Sequence, residues 1–157
     1  NNAVVEQFGT PQEIYDKPAT MFVADFIGSP SMNFLPFHGK VGDGATEVLM
    51  QNANFAIPQA REPFEGDLSF GVRPEHIKLS DAAPFRAEVL ATEYLGTTQI
   101  VTLQTAGGEV KARTSAQQPA KTGDTVGLEF NAATITLFDR QSGRALRSEL
   151  NEGVLHG

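Results

Sequence analysis

Short apolar segments separated by turn residues run along most of this chain. From Phe34 onward, Gly, Pro, Asn and Asp recur every eight to twelve residues between segments rich in Val, Ile, Leu, Phe and Thr, a spacing typical of a small β-barrel or sandwich. Nine strands are predicted: "FHGKV", "TEVLMQ", "NFAIP", "LSFGVRP", "RAEVLATEYLG", "TQIVTLQT", "EVKARTS", "TVGLEF" and "ATITLFD". Nine strands would crowd one open sheet, so we expect a structure that closes or folds over on itself.

Two turn regions and one repeat complete the pattern of the β-rich part. Gly107 and Gly108 predict a tight hairpin within "TLQTAGGEVKA", because glycine tolerates positive φ. Residues 115–124 lack periodicity and are predicted to form a surface loop. The segments "GVRPEHIKLSD" and "GLEFNAATITLFD" share a spacing of Gly, Ile, Leu and Asp, which leaves open whether they are duplicated strand units or a chance similarity.

The first thirty residues carry a helical pattern instead. Thr10, Pro11 and Glu13 form the sequence of a capping box with proline at the first helical position. Pro18 cannot continue that helix, so we expect the helix to end near residues 15–16 and a second helix to begin with Pro18 in its first turn.

The second predicted helix is amphipathic. Phe22, Val23, Phe26 and Ile27 would form one apolar stripe on its surface, and such a stripe needs a partner surface. Gly28 is suited to close the helix, and the following Ser29-Pro30 stops it from continuing.

Composition and charge narrow the class of protein. The chain has 157 residues, of which 40% are hydrophobic and 20% charged, so it is predicted to be one soluble domain or a domain with part of another. It has no cysteine, which excludes disulfides and thiolate metal sites. It begins "NNAVVEQFG", without an initiator Met or a leader, so we expect its first residue to be a cut point.

The net charge of −7 disfavours nucleic acid as a partner, since affinity for nucleic acid depends on clustered Lys and Arg. The nearest basic cluster consists of Arg140, Arg144 and Arg147. We interpret these residues as part of a solvated hairpin and its exit.

No motif indicates an active site. A P-loop pattern is missing, and the Ser29 and Ser31 environment does not resemble a nucleophile elbow. His38, His76 and His156 lack partners at metal-ligand spacing, so no metal site is predicted. Two carboxylate pairs, Glu62 with Glu65 and Glu149 with Glu152, lie in polar stretches where a general acid would stay solvated. These absences favour a binding, docking or regulatory module, with no catalytic, nucleotide-binding or metal-binding residue.

Four stretches, in order, resemble one known family. "VEQFGTPQEIYDKPATMFVADFIGSPSMNFLP" is similar to the end of the nucleotide-binding domain and the linker in ATP-binding subunits of sugar-importing ABC transporters of the maltose-importer and glycerol-phosphate-importer type. "GVRPEHIKLSD", "EYLGTTQI" and "LFDRQSGRAL" resemble the regulatory domain of these subunits, a tandem OB-like barrel called the TOBE domain. The fold implied is mainly β, with a compact OB-like barrel preceded by two short helices.

The resemblance implies a division of the chain and a set of partners. Residues 1–30 would be the remnant of the nucleotide-binding domain with its linker, and residues 31–157 the regulatory domain. ATP and Mg would bind in the missing domain, so this part is expected to need no cofactor and to catalyse nothing. The implied partners are a second copy, the nucleotide-binding domain of the same chain, the permease subunits and a phosphotransferase-system regulator, on the cytoplasmic face of the bacterial plasma membrane. The transported solute would be a sugar, a polyol or glycerol phosphate.

Three residues are candidates for dimer or regulator contacts by their place in the matched motifs: Glu93, Gly96 and Phe138. Two alternatives remain open, namely core packing for Phe138 and a turn or bulge without a Cβ for Gly96. The segment 73–75 is interpreted as the end of a strand, because Pro74 cannot donate to a sheet.

Two other functions are weighed against regulation. A small-molecule sensor for oxyanions or sugars would need convergent Lys, Ser or backbone N–H groups, and these are scattered along the sequence. An oligonucleotide-binding OB module would need a basic groove with stacking aromatics, which the acidic composition opposes.

Overall fold

The front of the chain forms two short helices. The computed structural model describes residues 7–154, so His156 and the first six residues lie outside the described part. Helix α1 spans Pro11–Asp16, and its capping box is present, because the Thr10 side chain accepts the Glu13 N–H while the Glu13 carboxylate accepts the Thr10 N–H. Both this cap and the predicted end of α1 are confirmed.

Helix α2 spans Met21–Phe26 and begins later than predicted. Its N-cap is Thr20, whose Oγ1 accepts a hydrogen bond of 3.1 Å from the Val23 N–H. Pro18 lies in the connection before the cap, so its expected place in the first turn was wrong. The hydroxyl of Thr20 provides a stronger start signal than proline alone. Gly28 follows the helix with φ of +110°, as expected for a residue that closes a helix.

The rest of the described chain forms ten strands, which are β1 (Asn33–Val41), β2 (Glu47–Met50), β3 (Ala53–Ala56), β4 (Phe64–Val72), β5 (Ile77–Leu79), β6 (Arg86–Leu95), β7 (Thr98–Thr105), β8 (Gly108–Ser115), β9 (Thr125–Phe130) and β10 (Thr136–Asp139). Each of the nine predicted segments contains a strand, and the mainly β fold is confirmed. Strand β5 was missed. With three residues, it is too short to produce a recognisable alternation.

The strands form two main sheets and a hairpin. The first sheet has the order β1-β4-β10, and the second has the order β5-β9-β6-β7-β8, with all pairs antiparallel. Strands β2 and β3 pair with each other. The tight turn between β7 and β8 consists of Ala106 and Gly107, one residue earlier than predicted, and Gly108 already belongs to β8 with φ of +140°.

The two similar segments of the sequence, residues 71–81 and 127–139, each carry the chain from one sheet to the other. Strand β4 leads through the 3-10 helix Pro74–His76 into β5, and β9 leads through the 3-10 helix Ala132–Thr134 into β10. Strand β5 then pairs with β9, while β10 pairs with β4. The repeats also touch, since the Asn131 N–H donates to the His76 carbonyl over 2.9 Å. The two similar sequences therefore have the same order of elements, and each sends a short strand into the sheet of the other.

The main core lies between these sheets and contains buried residues from both. The half-buried rings of Phe55 and Phe130 pack against it: Phe55 lies on Phe85 with ring centroids 5.1 Å apart, and Phe130 lies on Phe70 at 5.3 Å. These rings come from β3, β4, β9 and the loop before β6. Burial of aromatic surface shared by both sheets favours their folding as one unit.

A second, smaller core joins the helices to the first sheet. It contains Ala24 of α2 and Phe138 of β10, together with Met32 and Ala145. Gly71 of β4 allows this packing, because a Cβ there would lie 2.7 Å from both the Met32 Sδ and the Phe138 Cε2. The first sheet therefore packs against the helices on one side while it contributes to the main core on the other.

Candidate interaction surfaces

Arg73 joins the front helices to the first sheet. It follows β4 directly and is only 2% exposed. Its guanidinium donates hydrogen bonds to the carbonyls of Tyr15 (2.9 Å), Ala24 (3.0 Å) and Ile27 (2.7 Å). Carbonyls in the last turn of a helix lack partners inside the helix, so one side chain completes the ends of both helices.

The ring of Tyr15 lies beside this guanidinium. The Arg73 Cζ is 4.1 Å from the ring centroid, a cation–π contact, and the Tyr15 hydroxyl donates to the Glu75 carboxylate. Burial and this hydrogen bond raise the pKa of Tyr15 to about 12. Burial lowers the pKa of Arg73, but an arginine remains protonated in proteins, so a buried cation is held by carbonyl oxygens and an aromatic face.

The interpretation of residues 73–75 as a strand end was therefore incomplete. Strand β4 does end at Val72, and Pro74 does begin the next turn, but Arg73 also binds both helices. The sequence carried a signal for this role. Residues 68–72 are all buried, and a charged residue directly after such a run needs buried polar partners.

The linker after α2 is bonded to the second sheet. Arg113 of β8 donates to the Ser29 carbonyl over 2.8 Å. The Asn33 side chain donates to the Lys111 carbonyl (2.9 Å) and accepts from the Lys111 N–H (2.8 Å). The linker is thus bonded to β8 at Ser29, and β1, which follows it, is bonded to β8 at Asn33.

The predicted apolar stripe of α2 is divided between the inside and the outside of the structure. Val23 is buried, whereas Phe22 and Phe26 are exposed and stacked with centroids 6.1 Å apart; Phe26 is 69% exposed. Phe8, ahead of α1, is 92% exposed. Large apolar side chains exposed close together indicate a surface that binds a partner. We call Phe22 and Phe26 the aromatic face.

A second apolar surface lies at the end of the β6–β7 hairpin. Strand β9 pairs with β6 only over residues 86–88, while β6 and β7 remain paired as far as Leu95 and Thr98. The far half of the hairpin therefore extends past β9. Three of its side chains are exposed and apolar, namely Leu90, Tyr94 and Leu95. We call these three residues, together with the turn that follows them, the hairpin tip.

Two of the three candidate contact residues lie at the hairpin tip. Glu93 is exposed on β6, and Gly96 is exposed in the turn with φ of +84°. A Cβ at Gly96 would meet no atom within 4 Å, so glycine is required there by the backbone and not by crowding. Both residues remain candidates for a contact.

Phe138, the third candidate, lies inside the molecule. Its side chain is 0% exposed and packs edge-to-face on Phe34 with centroids 5.7 Å apart. Of the two alternatives that the sequence left open, core packing is the one that the structure describes. The ring offers no surface to a partner, because β10 directs it at Gly71 and Met32.

The three arginines near the end of the chain serve structural contacts. Arg144 forms two hydrogen bonds with the Glu62 carboxylate, at 2.7 and 3.1 Å, and the Arg147 N–H donates to the same group. Burial opposes ionisation of Glu62, but these donors outweigh it and lower its pKa below the usual 4.5. Arg140 donates to the Ser69 hydroxyl. All three therefore have protein partners, and all three remain exposed, as a solvated hairpin and its exit would be.

Within residues 7–154, no three His, Asp or Glu side chains come together as metal ligands would. One groove runs between the loop after β5 and the start of β9, where its lining includes Asp81 and Asp124. None of the described lining residues is Lys or Arg. No helix in the described part of the chain is long and apolar enough to cross a membrane.

Comparison with known proteins shows two domain families in succession. Residues 28–77 match the MalK OB fold domain, and residues 70–138 match the TOBE domain. The solved structure of the cytoplasmic molybdate-binding protein ModG, with molybdate bound, superposes with a TM-score of 0.52 at 15% identity, over 67% of this chain and 94% of that one. At this identity the likeness concerns the fold alone.

Curated relatives match over nearly the whole chain. The sn-glycerol-3-phosphate import ATP-binding protein UgpC of Cereibacter sphaeroides is 42% identical over 149 residues, which are 93% of this chain and 41% of that protein. The multiple sugar-binding transport ATP-binding protein MsmK of Streptococcus mutans is 37% identical over 155 residues, which are 91% of this chain and 41% of the relative. The chain thus spans about two fifths of the length of these relatives.

Proposed function

Since the chain carries a MalK-type OB-fold domain followed by a TOBE domain, we propose that it is the regulatory and dimerisation domain of an ATP-binding subunit in an ABC importer. The importer would carry a sugar, a polyol or glycerol phosphate, as the names of the relatives suggest. In this proposal the chain catalyses nothing itself. ATP and Mg bind to a nucleotide-binding domain, and this domain joins and regulates two such units on the cytoplasmic face of the membrane.

The aromatic face is the proposed contact with the nucleotide-binding domain of the same subunit. Phe22 and Phe26 lie on an exposed side of α2, whereas Val23 and Ala24 are buried. A helix that is apolar on both sides is normally buried between two layers. The first sheet covers one side, and the nucleotide-binding domain would cover the other. Through that domain the subunit would reach the permease.

The hairpin tip is the proposed contact with a second copy. Tyr94 is 65% exposed and Leu95 is 46% exposed, and side chains of this kind contribute most when they are buried at the centre of an interface. Joining two subunits at this point makes closure of their nucleotide-binding domains an intramolecular step, with an effective concentration on the order of millimolar. Closure on ATP would then not depend on a chance encounter.

Regulation would act through the same surface. A regulator, such as one from the phosphotransferase system, that binds the open arrangement more tightly than the closed one shifts the population toward the open state. A coupling free energy of about 1–3 kcal/mol corresponds to roughly a 5–150-fold change in affinity. Glu93 would supply a charged contact at the edge of the apolar tip, and Gly96 would set the shape of the turn.

The observation that carries this proposal is the pair of exposed apolar side chains at the end of β6, where β9 no longer pairs with that strand. Sedimentation equilibrium of the chain at ~0.1 mM tests it, since a standard protein interface supports association in this range. We expect self-association that the double substitution Tyr94→Ser with Leu95→Ser abolishes. Leu49→Ser is the matched control, because Leu49 is an exposed leucine on β2, away from the tip. A chain that stays monomeric, or a double variant that associates like the parent, would refute the proposed dimer surface.

The alternative is an oxyanion or sugar sensor. The fold likeness to a molybdate-binding protein keeps this function in view, but the groove beside β5 and β9 is lined by Asp81 and Asp124, whose charges repel an anion. Calorimetry with molybdate, sulfate and candidate sugars distinguishes the two functions. A saturable micromolar isotherm would favour the sensor.

A further inference from the structure

Two separate sets of hydrogen bonds attach α2 to the β-rich part, one at each end of the helix. At its start, the Met21 N–H donates to the Gly143 carbonyl (2.8 Å) and the Ala145 N–H donates to the Ala19 carbonyl (2.9 Å). At its end, the Arg73 guanidinium binds the two carbonyls of Ala24 and Ile27. A body held at one place can pivot about it, whereas attachment at two separated places removes that rotation.

Helix α1 depends on the second attachment more than α2 does. None of its residues is fully buried, although residues 13–16 are half-buried, so it is held less by apolar burial than α2, whose Val23 and Ala24 are buried. Its contacts with the first sheet are the Tyr15 carbonyl and ring on Arg73 and the Tyr15 hydroxyl on Glu75. The Gln7 side chain binds the Lys17 carbonyl and the Ala19 N–H, which ties α1 to the segment before α2.

We infer that Arg73 is the positioning residue that fixes α1, α2 and the linker to the sheets as one rigid body. The geometry of arginine suits this task. The planar guanidinium presents five N–H donors in a fixed fork, and here it reaches carbonyls from both helices and from the linker at once. A lysine offers its three donors from one nitrogen, whereas these carbonyls are bound by two, Nη1 and Nη2.

The chain between α2 and β1 is attached to the sheets at two residues, and the first residue of β1 is attached at a third. Ile27 is bound by Arg73, Ser29 by Arg113, and Asn33 by the backbone of Lys111. These donors belong to the end of β4 and to β8, so both sheets hold the linker. The connection is therefore a fixed joint between the helices and the sheets.

The functional consequence rests on the proposed function above. A nucleotide-binding domain docked on the aromatic face would pass its displacement to the sheets, and so to the hairpin tip, without loss in the linker. A regulator bound at the tip would act on the helices by the same route. The rigidity itself is a property of the single chain and is tested without a partner.

Distances between two spin labels measure this rigidity. The chain has no cysteine, so Gln12→Cys on α1 and Glu109→Cys on β8 place labels at two exposed positions only. We expect one narrow distance distribution in the parent chain, measured after dilution with unlabelled protein so that only pairs within one chain contribute. Arg73→Met should broaden it, because the helices can then pivot about residues 19–21. Arg73→Lys should give an intermediate width.

Two controls distinguish loss of the attachment at Arg73 from a general loosening of the fold. Arg86→Met removes an arginine that also donates to backbone carbonyls, those of Asp81 and Ala83, but does not touch the helices. It should leave the distribution narrow. A second label pair, Glu47→Cys with Glu109→Cys, lies entirely on strands and should remain narrow in the Arg73→Met chain.

The inference is overturned if the folded Arg73→Met chain keeps the narrow distribution of the parent. If Arg73→Met does not fold, hydrogen exchange of the parent chain decides. We expect the amides of Ala24 and Ile27 to exchange within about 30-fold of the Phe70 amide in β4, since a locked helix opens only with the sheet. Faster exchange would show that the helices open by themselves. A chain that stays monomeric but shows a narrow distance distribution would refute the proposed dimer and still support the attachment by Arg73. Failure of the proposed function and failure of this inference are therefore distinguishable.

Discussion

The substitution Phe138→Ala distinguishes the two roles that the sequence left open for this residue, namely core packing and contact with a partner. The ring is fully buried, packs edge-to-face on Phe34 at 5.7 Å and belongs to the small core with Met32 and Ala145. Truncation leaves a cavity beneath α2. The surrounding groups come from a helix, a linker and a sheet edge that are held by hydrogen bonds, so we expect little collapse into the space.

The expected loss is large compared with the stability of the domain. Phe→Ala substitutions in a core cost about 3–5 kcal/mol, and edge-to-face aromatic pairing of the kind seen here accounts for about 0.5–1.5 kcal/mol. A domain of this size has a total stability of about 5–15 kcal/mol. At about 2–4 °C for each kcal/mol, the melting temperature should fall by roughly 6–20 °C.

Urea unfolding followed by circular dichroism measures this loss. Phe26→Ala is the matched control, because it removes the same ring from an exposed position and should change the free energy of unfolding by no more than about 0.5 kcal/mol. The reasoning is refuted if Phe138→Ala unfolds like the parent chain while its self-association weakens, since the ring would then be a contact residue.

Two further substitutions test the packing and the charge network. Gly127→Ala should cost about 3 kcal/mol or more, because its Cβ would overlap backbone carbonyls of residues 80–83, whereas Gly42→Ala, with no atom within 4 Å, should be neutral in the same urea titration. The pKa of Glu62 is lowered in the folded state by Arg144, so its ionised form stabilises the fold above about pH 4.5, and this contribution is lost as the pH falls through the lower folded value. Glu62→Gln should therefore be less stable than the parent at pH 7 and should lose less stability between pH 7 and pH 3; equal losses in the two proteins would contradict the assigned ion pair.

The sequence predicted helices, strands and turns well where a residue type is favoured at a position for a single physical reason. The capping box of Thr10 and Glu13 and the glycines between the segments of β7 and β8 predicted a helix start and a hairpin that the structure contains. The start of α2 was misplaced because Pro18 and Thr20 are both start signals, and only the hydroxyl supplies the needed acceptor.

Tertiary contacts account for what the sequence did not reveal. Arg73 follows β4 in the chain, but its partners lie 46 to 58 residues away along the chain, so no local pattern connects them. Phe138 reads equally as a core or a surface residue at a strand end, because alternation does not show what covers a face. The exposed residues at the hairpin tip became recognisable as a surface only when β9 was seen to end short of it.

Dipolar coupling between chains that each carry one spin label tests the central claim most directly, namely that this domain joins two subunits through the hairpin tip. Thr97→Cys places the label in the turn of that hairpin, and Glu47→Cys places it on β2 as the control. The account predicts a short, well-defined distance between the labels of two copies at Thr97 and a longer or undetectable one at Glu47. A distance that is shorter at Glu47, or no coupling at either site at concentrations where the chains sediment as dimers, would contradict it.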